Sequence, residues 1–154
     1  MGLLMEFYAG SPADIGRALD ASDHEALRDG SLAHGHADLS LHLSPDHLDV
    51  LSEEVAACTG SAPLLLLDSL EDHLGGTEDW SAEVVSLAWV EAVAAIPDAS
   101  IAALARSWRA AVAKELGEPT MTAGDDAVQA VEALVRLCRE ASQRKTRVVF
   151  AWFL

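Results

Sequence analysis

The sequence predicts an α+β fold: a small, mainly antiparallel sheet of about three strands packed against several helices. Three observations carry this. Both ends of the chain alternate with period two, as does the segment 34–43, and that period marks strands. The middle and late segments instead repeat apolar residues every three or four positions, the spacing of an amphipathic helix. With 154 residues and 51% apolar composition, the chain can bury one core as a single domain, 1–154, and is too apolar for an extended disordered chain.

The first strand is read in "GLLMEFYA", Gly2 to Ala9, with Leu3, Met5, Phe7 and Ala9 on one face and Leu4, Glu6 and Tyr8 on the other. Gly10 ends it. Ser11 then caps a helix with Pro12 at its first position, Asp14 in its first turn, and Ile15, Ala18 and Leu19 as its stripe. "DASDHEALRDG" reads as a short helix or a loop. From His34 to Leu43, Ala37, Leu39, Leu41 and Leu43 share one face, and His34, His36, Asp38, Ser40 and His42 share the other. "SPDHL" opens a helix, with Ser44 as cap, Pro45 first and Asp46 near the positive end. Leu48, Leu51, Val55 and Cys58 form its buried side until Gly60 stops it.

"SAPLLLLDSLEDHLGG" is open between a helix and a short strand with a helical turn; the stripe of Leu67, Leu70 and Leu74 favours the helix. "DWSAEVVSLAWVEAVAAIP" reads as one longer helix ending before Pro97, because its alanines outweigh the β-branched pair Val84–Val85. Trp80, Val84, Leu87, Ala88, Ala92 and Ile96 are its inward residues. A further helix begins at Asp98 or Ser100 and ends at Gly117, with Ile101, Leu104, Ala105, Trp108, Val112 and Leu116 inward. "EPTMTAG" is a loop. "DDAVQAVEALVRLCREASQ" is the clearest helix, acidic at its start and basic towards its end, as the helix dipole prefers. Its core face holds Val128, Val131, Val135, Cys138 and either Leu134 or Leu137. "TRVVFAWFL" is apolar on both faces, so it belongs inside the sheet. The sheet is thus expected from both termini and residues 34–43, the terminal strands side by side and the helices on one face.

The opening "MGLLMEFYAGSPADI", the helical middle and the close "DDAVQAVEALVRLCREASQRKTRVVFAWFL" resemble the YfbM-like family of bacterial proteins of unknown function. The likeness covers the two ends and lies in pattern rather than in a diagnostic motif. It implies the fold and a bacterial setting, and it carries over no catalytic residue.

Charge bounds the function. The chain holds 25 acidic and 10 basic residues, a formal charge of −15. Such a field repels nucleic acid and anionic membranes, whose phosphates need clustered lysine and arginine. The one dense basic run, Arg136 to Arg147, sits where a helix end accounts for it. No apolar run reaches the ~18 residues of a membrane span, and the N-terminus lacks the basic region of a signal peptide, so a cytoplasmic location is expected. Cys58 and Cys138 belong to no CxxC pair and read as small core residues.

Chemistry concentrates in "AHGHADLSLHLSPDH", which holds four of the six histidines. His34 and His36, with Asp38, form a candidate metal set, zinc being the ion it would take. His42 cannot join them: six residues of strand separate it from His36 by roughly 20 Å, whereas zinc needs every donor nitrogen at about 2.0–2.1 Å. His42 with Asp46 or His47 forms a second candidate, a general base and its orienting group acting on a small molecule. The competing reading of both is a solvated polar face. No nucleophile elbow, phosphate loop or HExxH motif is present. A third option is a binding module whose acidic faces, bearing Glu53, Glu54, Glu71, Asp72, Glu78 and Asp79, steer a basic protein partner. That option is preferred, with a small enzyme or metal-binding protein as the alternative. Trp80, Trp108 and Trp152 are assigned to the core, and Trp89, which departs from its helix stripe, is expected to be the exposed one.

Overall fold

The computed structural model describes residues 3–118 and 124–154, so most of the "EPTMTAG" loop and Gly2 of the first strand lie outside the described residues. Among the described residues five strands form one open antiparallel sheet: β1 (Leu4–Gly10), β2 (Ala33–Asp38), β3 (Leu70–Gly76), β4 (Trp80–Val85) and β5 (Arg147–Phe153). Their order is β2-β1-β5-β4-β3. Six α-helices accompany them among the described residues: α1 (Pro12–Asp20), α2 (His24–Arg28), α3 (Asp46–Thr59), α4 (Leu87–Ala94), α5 (Ile101–Leu116) and α6 (Asp125–Arg144). Among the described residues no single helix is long and apolar enough to cross a membrane.

The α+β architecture holds, but the sheet has five strands rather than about three. The two extra strands come from segments that read as helices. In "SAPLLLLDSLEDHLGG" only Leu67–Ser69 turns, as a 3-10 helix, and Leu70 onward is strand. The longer helix expected to start at Asp79 and end before Pro97 breaks at Ser86, whose hydroxyl accepts from the Trp89 N–H and caps α4. Before that cap, Val84 and Val85 lie opposite Val149 and Val148 of β5. Cross-strand packing of β-branched residues overrides the helical preference of the alanines around them. The β3–β4 hairpin closes at Gly76, where an added Cβ would lie 2.7 Å from the Trp80 carbonyl oxygen, so only glycine allows that approach.

β5 lies at the centre, paired with β1 from Leu4↔Phe153 to Gly10↔Arg147 and with β4 from Trp80↔Phe153 to Val85↔Val148. The terminal strands are therefore adjacent and β5 is interior, as its two apolar faces require. Helices cover both faces of the sheet rather than one. Beneath α3–α6 lies the larger core, with Met5, Phe7, Trp89, Trp108, Val148 and Phe150. On the opposite face α1 and α2 close a smaller one around Tyr8, Ile15, Leu19, Leu27, Val149 and Ala151.

The capping reading of α1 holds: Ser11 accepts from the Asp14 N–H, and Pro12 is the first helical residue. Gly60 and Gly117 end α3 and α5 at φ 68, in the left-handed region. In α6 both Leu134 and Leu137 are buried. Several single-residue expectations are corrected. Trp89 is only 1% exposed, because its ring stacks on Phe7 and its Nε1 donates to Ser52 Oγ at 3.0 Å. Trp80 and Trp152 are half-buried. Leu116 is exposed, one turn past the buried Val112. Cys58 is exposed near the end of α3, whereas Cys138 is fully buried and its thiol pKa is pushed well up by burial.

Removing Val148 to Leu154 deletes the strand that joins β1 to β4. The expected outcome is insoluble protein without a cooperative melt; a soluble truncation with a sharp circular-dichroism transition would contradict the central role of β5.

Candidate functional site

The period of a strand puts Glu6 and Tyr8 on the same face of β1, and the register sets His36 of β2 opposite Tyr8. That face looks towards α2, whose last residue is Arg28. The result is a polar cluster at the edge of the smaller core. Glu6 is 2% exposed, and it is the one buried acid among the described residues. The Tyr8 hydroxyl donates to Glu6 Oε2, and Arg28 Nη2 donates to Glu6 Oε1. His36 Nε2 lies 3.6 Å from Glu6 Oε1, and its ring stacks on Tyr8 with centroids 5.3 Å apart.

Burial alone would raise the Glu6 pKa. His36, the Tyr8 hydroxyl and the Arg28 guanidinium together outweigh it and hold the carboxyl down at about 2. The same contacts act in the opposite sense on Tyr8: burial, then the hydrogen bond and charge of Glu6, lift its phenol well above the ordinary range. Arg28 is partly desolvated, yet the Glu6 carboxylate raises its pKa further. Glu6 is thus a fixed anion bound by Tyr8 and Arg28, with the His36 ring beside it but beyond hydrogen-bond distance. His36 borders a shallow groove of about 360 Å³ between β2 and α6, shared with Asp38, Ser40, Leu41 and Asp126.

The structure gives each candidate histidine different surroundings. β2 ends at Asp38, not at Leu43. The chain leaves the sheet where Ser40 turns back, its N–H bound by Asp38 Oδ1 and its hydroxyl bound by the Met5 N–H. Within β2 the register steps from Ala9↔Gly35 to Gly10↔Ala33, which skips His34. His34 then meets Thr146 Oγ1 at 2.7 Å and lies 3.8 Å from Glu140 of α6, while His36 faces Glu6 and Tyr8. The two rings therefore have no partner in common. Asp38 is exposed. Among the described residues no three His, Cys, Asp or Glu side chains come together as a metal-ligand set.

His42 is exposed and left-handed at φ 58, and among the described residues it joins neither Asp46 nor any other group by a hydrogen bond or ion pair. His47 is spent on the helix. Its Nδ1 accepts the Ser44 N–H at 3.0 Å, and its own carbonyl accepts from Trp108 Nε1 at 2.8 Å. Ser44 is not the cap its sequence suggested. Pro45 occupies that position without a side-chain bond, and the Ser44 hydroxyl lies 3.2 Å from His47 Nδ1. Sequence reasoning named His36 but missed Glu6, Tyr8 and Arg28. The legible signal was Glu6 itself, a lone carboxylate in an otherwise apolar strand; nothing local marked Arg28 as its partner.

Comparison with family models, curated proteins and solved structures finds no match to this chain.

Two measurements test the cluster. Tyr8 is the only tyrosine, so absorbance at the tyrosinate band reports it alone. The native protein is expected to show no ionisation through the ordinary range near pH ~10, with the signal appearing only on unfolding; a normal native titration would remove Tyr8 from the cluster. The Glu6 carboxyl binds its proton less readily folded than unfolded. Its contribution, up to about 3 kcal/mol, is present above pH ~4.5 and is lost as pH falls through about 2. The stability gap between wild type and Glu6→Gln should therefore shrink between pH 6 and pH 3; a gap independent of pH would overturn the ionised cluster.

Proposed function

We propose that the protein acts by binding, offering an acidic surface to a basic protein partner. Segregation of charge carries this reading. No lysine or arginine occurs between Arg28 and Arg106, yet that stretch holds more than half of the acids. Glu53, Glu71, Asp72, Glu78 and Asp79 are exposed and Glu54 is half-buried. Four of the ten cations are already paired within the fold: Arg17 with Asp14, Arg28 with Glu6, Arg139 with Asp98 and Arg147 with Glu71. What remains outside is a strongly negative field, which accelerates encounter with cationic surfaces and disfavours phosphate-rich ones. A cytoplasmic, YfbM-like bacterial protein of this kind would act by recognition rather than by turnover.

A second reading, a small enzyme, is favoured by one observation: Glu6 lies beside His36 at the rim of the groove between β2 and α6. A small molecule bound there would meet an imidazole 3.6 Å from a buried carboxylate, a spacing that a small ring movement would close to the hydrogen-bonded pairing used in general-base catalysis. A zinc-binding version would need further ligands for His34 or His36.

Affinity purification at low ionic strength is expected to recover a basic protein that is released as salt compresses the Debye length to about 3 Å near 1 M. Recovery of no partner at low salt would sink the binding reading. Stoichiometric zinc after chelator-free purification, with a thermal shift on re-addition, would favour the alternative.

A further inference from the structure

We infer that the face of β1 and β2 around Glu6 is a guanidinium-binding recess, filled by Arg28 in the free protein and taken over by an arginine of the basic partner. The inference rests on the binding reading and names the side chain that the partner brings. The sheet register builds the recess. Glu6 lies directly across from Asp38, and Tyr8 from His36, so all four side chains share one face of the β1–β2 pair. Like charges directly opposite on paired strands repel, and a carboxylate as buried as Glu6 needs a cation beside it. Arg28 is that cation. Partial burial alone would lower its pKa, but the charge and hydrogen bond of Glu6, together with the charge of Asp38, outweigh that effect.

The attachment of Arg28 makes it exchangeable. Arg28 Nη2 reaches Glu6 Oε1, yet the arginine side chain stays 46% exposed above a carboxylate that is 2% exposed. Glu6 Oε2 is held separately by the Tyr8 hydroxyl, so one oxygen keeps its donor when Arg28 leaves. His36 Nε2 is buried without a hydrogen-bond partner and, at 3.6 Å, does not complete Oε1 in place of Arg28. Arg28 is carried by α2, a helix of five residues with Leu27 as its one buried side chain. So short a helix has little stability of its own. Left-handed residues stand on either side of it, Ser22 at φ 56 and Gly30 at φ 90, and nothing lies within 4 Å of where a Gly30 Cβ would be. An element with so few buried contacts belongs to the low-stability end of a fold, where local opening occurs.

Arg28 itself shows which chemistry the recess accepts. Exchange replaces one guanidinium by another, so the buried carboxylate is never left unpaired, the state that makes breaking such a pair costly. Lysine fits less well: its ammonium is a compact, strongly hydrated charge, whereas the guanidinium fork offers donors to Glu6 and Asp38 at once. Asp23, Glu25, Asp29 and Asp38, all exposed, surround the entry and attract a cationic side chain. Arg28 is then an internal competitor. It weakens partner binding by the fraction of time it holds the recess, so an arginine succeeds there only when the partner's other contacts support it.

The test uses the full chain, isotope-labelled for amide NMR at low ionic strength, and two glycine–serine peptides of equal charge. One carries arginine and the other lysine at the same positions. Wild type is expected to bind the arginine peptide more tightly, with amide shifts concentrated at 23–30 and 36–38. Arg28→Ala removes the internal competitor and is expected to bind that peptide about tenfold more tightly than wild type. Arg17→Ala removes the same charge from the exposed side of α1 and should gain far less. Adding Asp38→Asn to Arg28→Ala should abolish most of the gain. Arg28→Gln serves if Arg28→Ala does not melt cooperatively. Equal binding of both peptides by wild type and the Arg28 variants, or shifts that leave 23–30 and 36–38 unmoved, would overturn the recess and leave the acidic binding reading standing. Failure of both peptides to bind at low salt would overturn both.

Discussion

The double pairing of β5 is the constraint on which the rest of the structure depends. β1 and β4 do not touch as sheet neighbours; each is hydrogen-bonded to β5 along most of its length. The alternation of β5 feeds two cores at once, with Val148 and Phe150 on one side and Val149 and Ala151 on the other. Each helix layer therefore packs against a surface that exists only because this strand is in place. The buried Glu6 cluster depends on it too, since Glu6 and Tyr8 are held flat against Ala151 and Val149.

Elements whose period and punctuation agreed were legible in the sequence. α1, with Ser11, Pro12 and its apolar stripe, and α6, with its charge gradient, needed no tertiary information. Where local preference and long-range pairing disagreed, pairing won. Leu67, Leu70 and Leu74 fit a helix by spacing, but Leu70 and Leu74 lie in β3, the strand paired with β4. Val84 and Val85 were the β-branched signal for that second strand, diluted by the alanines around them. Trp89 looked misplaced only because its helix was begun several residues too early; once Ser86 is the cap, the indole points at Phe7.

The histidine segment shows why a side-chain pattern is a poor guide to a site. Alternation from His34 to His42 assumes an unbroken strand, and the chain breaks that assumption twice. One register step redirects His34 to Thr146, and the exit at Ser40 leaves His42 outside the sheet. Only His36 keeps company with a perturbed group, Glu6 of β1, and Glu6 in turn is paired with Arg28, 22 positions from it along the chain. Such a cluster is invisible locally because its energy lies in desolvation and pairing, neither of which leaves a spacing in the sequence.

The strand order also has a kinetic meaning. The β3–β4 hairpin is local and can form early, and β2 needs only a short detour to find β1. Joining these two halves waits for β5, whose partners in β1 lie more than a hundred residues away along the chain. Contacts of that separation must close the largest loop before they return any stabilisation, and this slows folding. Until that closure, β1 and β4 each present an open, apolar edge. A chain whose β5 is undocked therefore exposes both edges to aggregation at once.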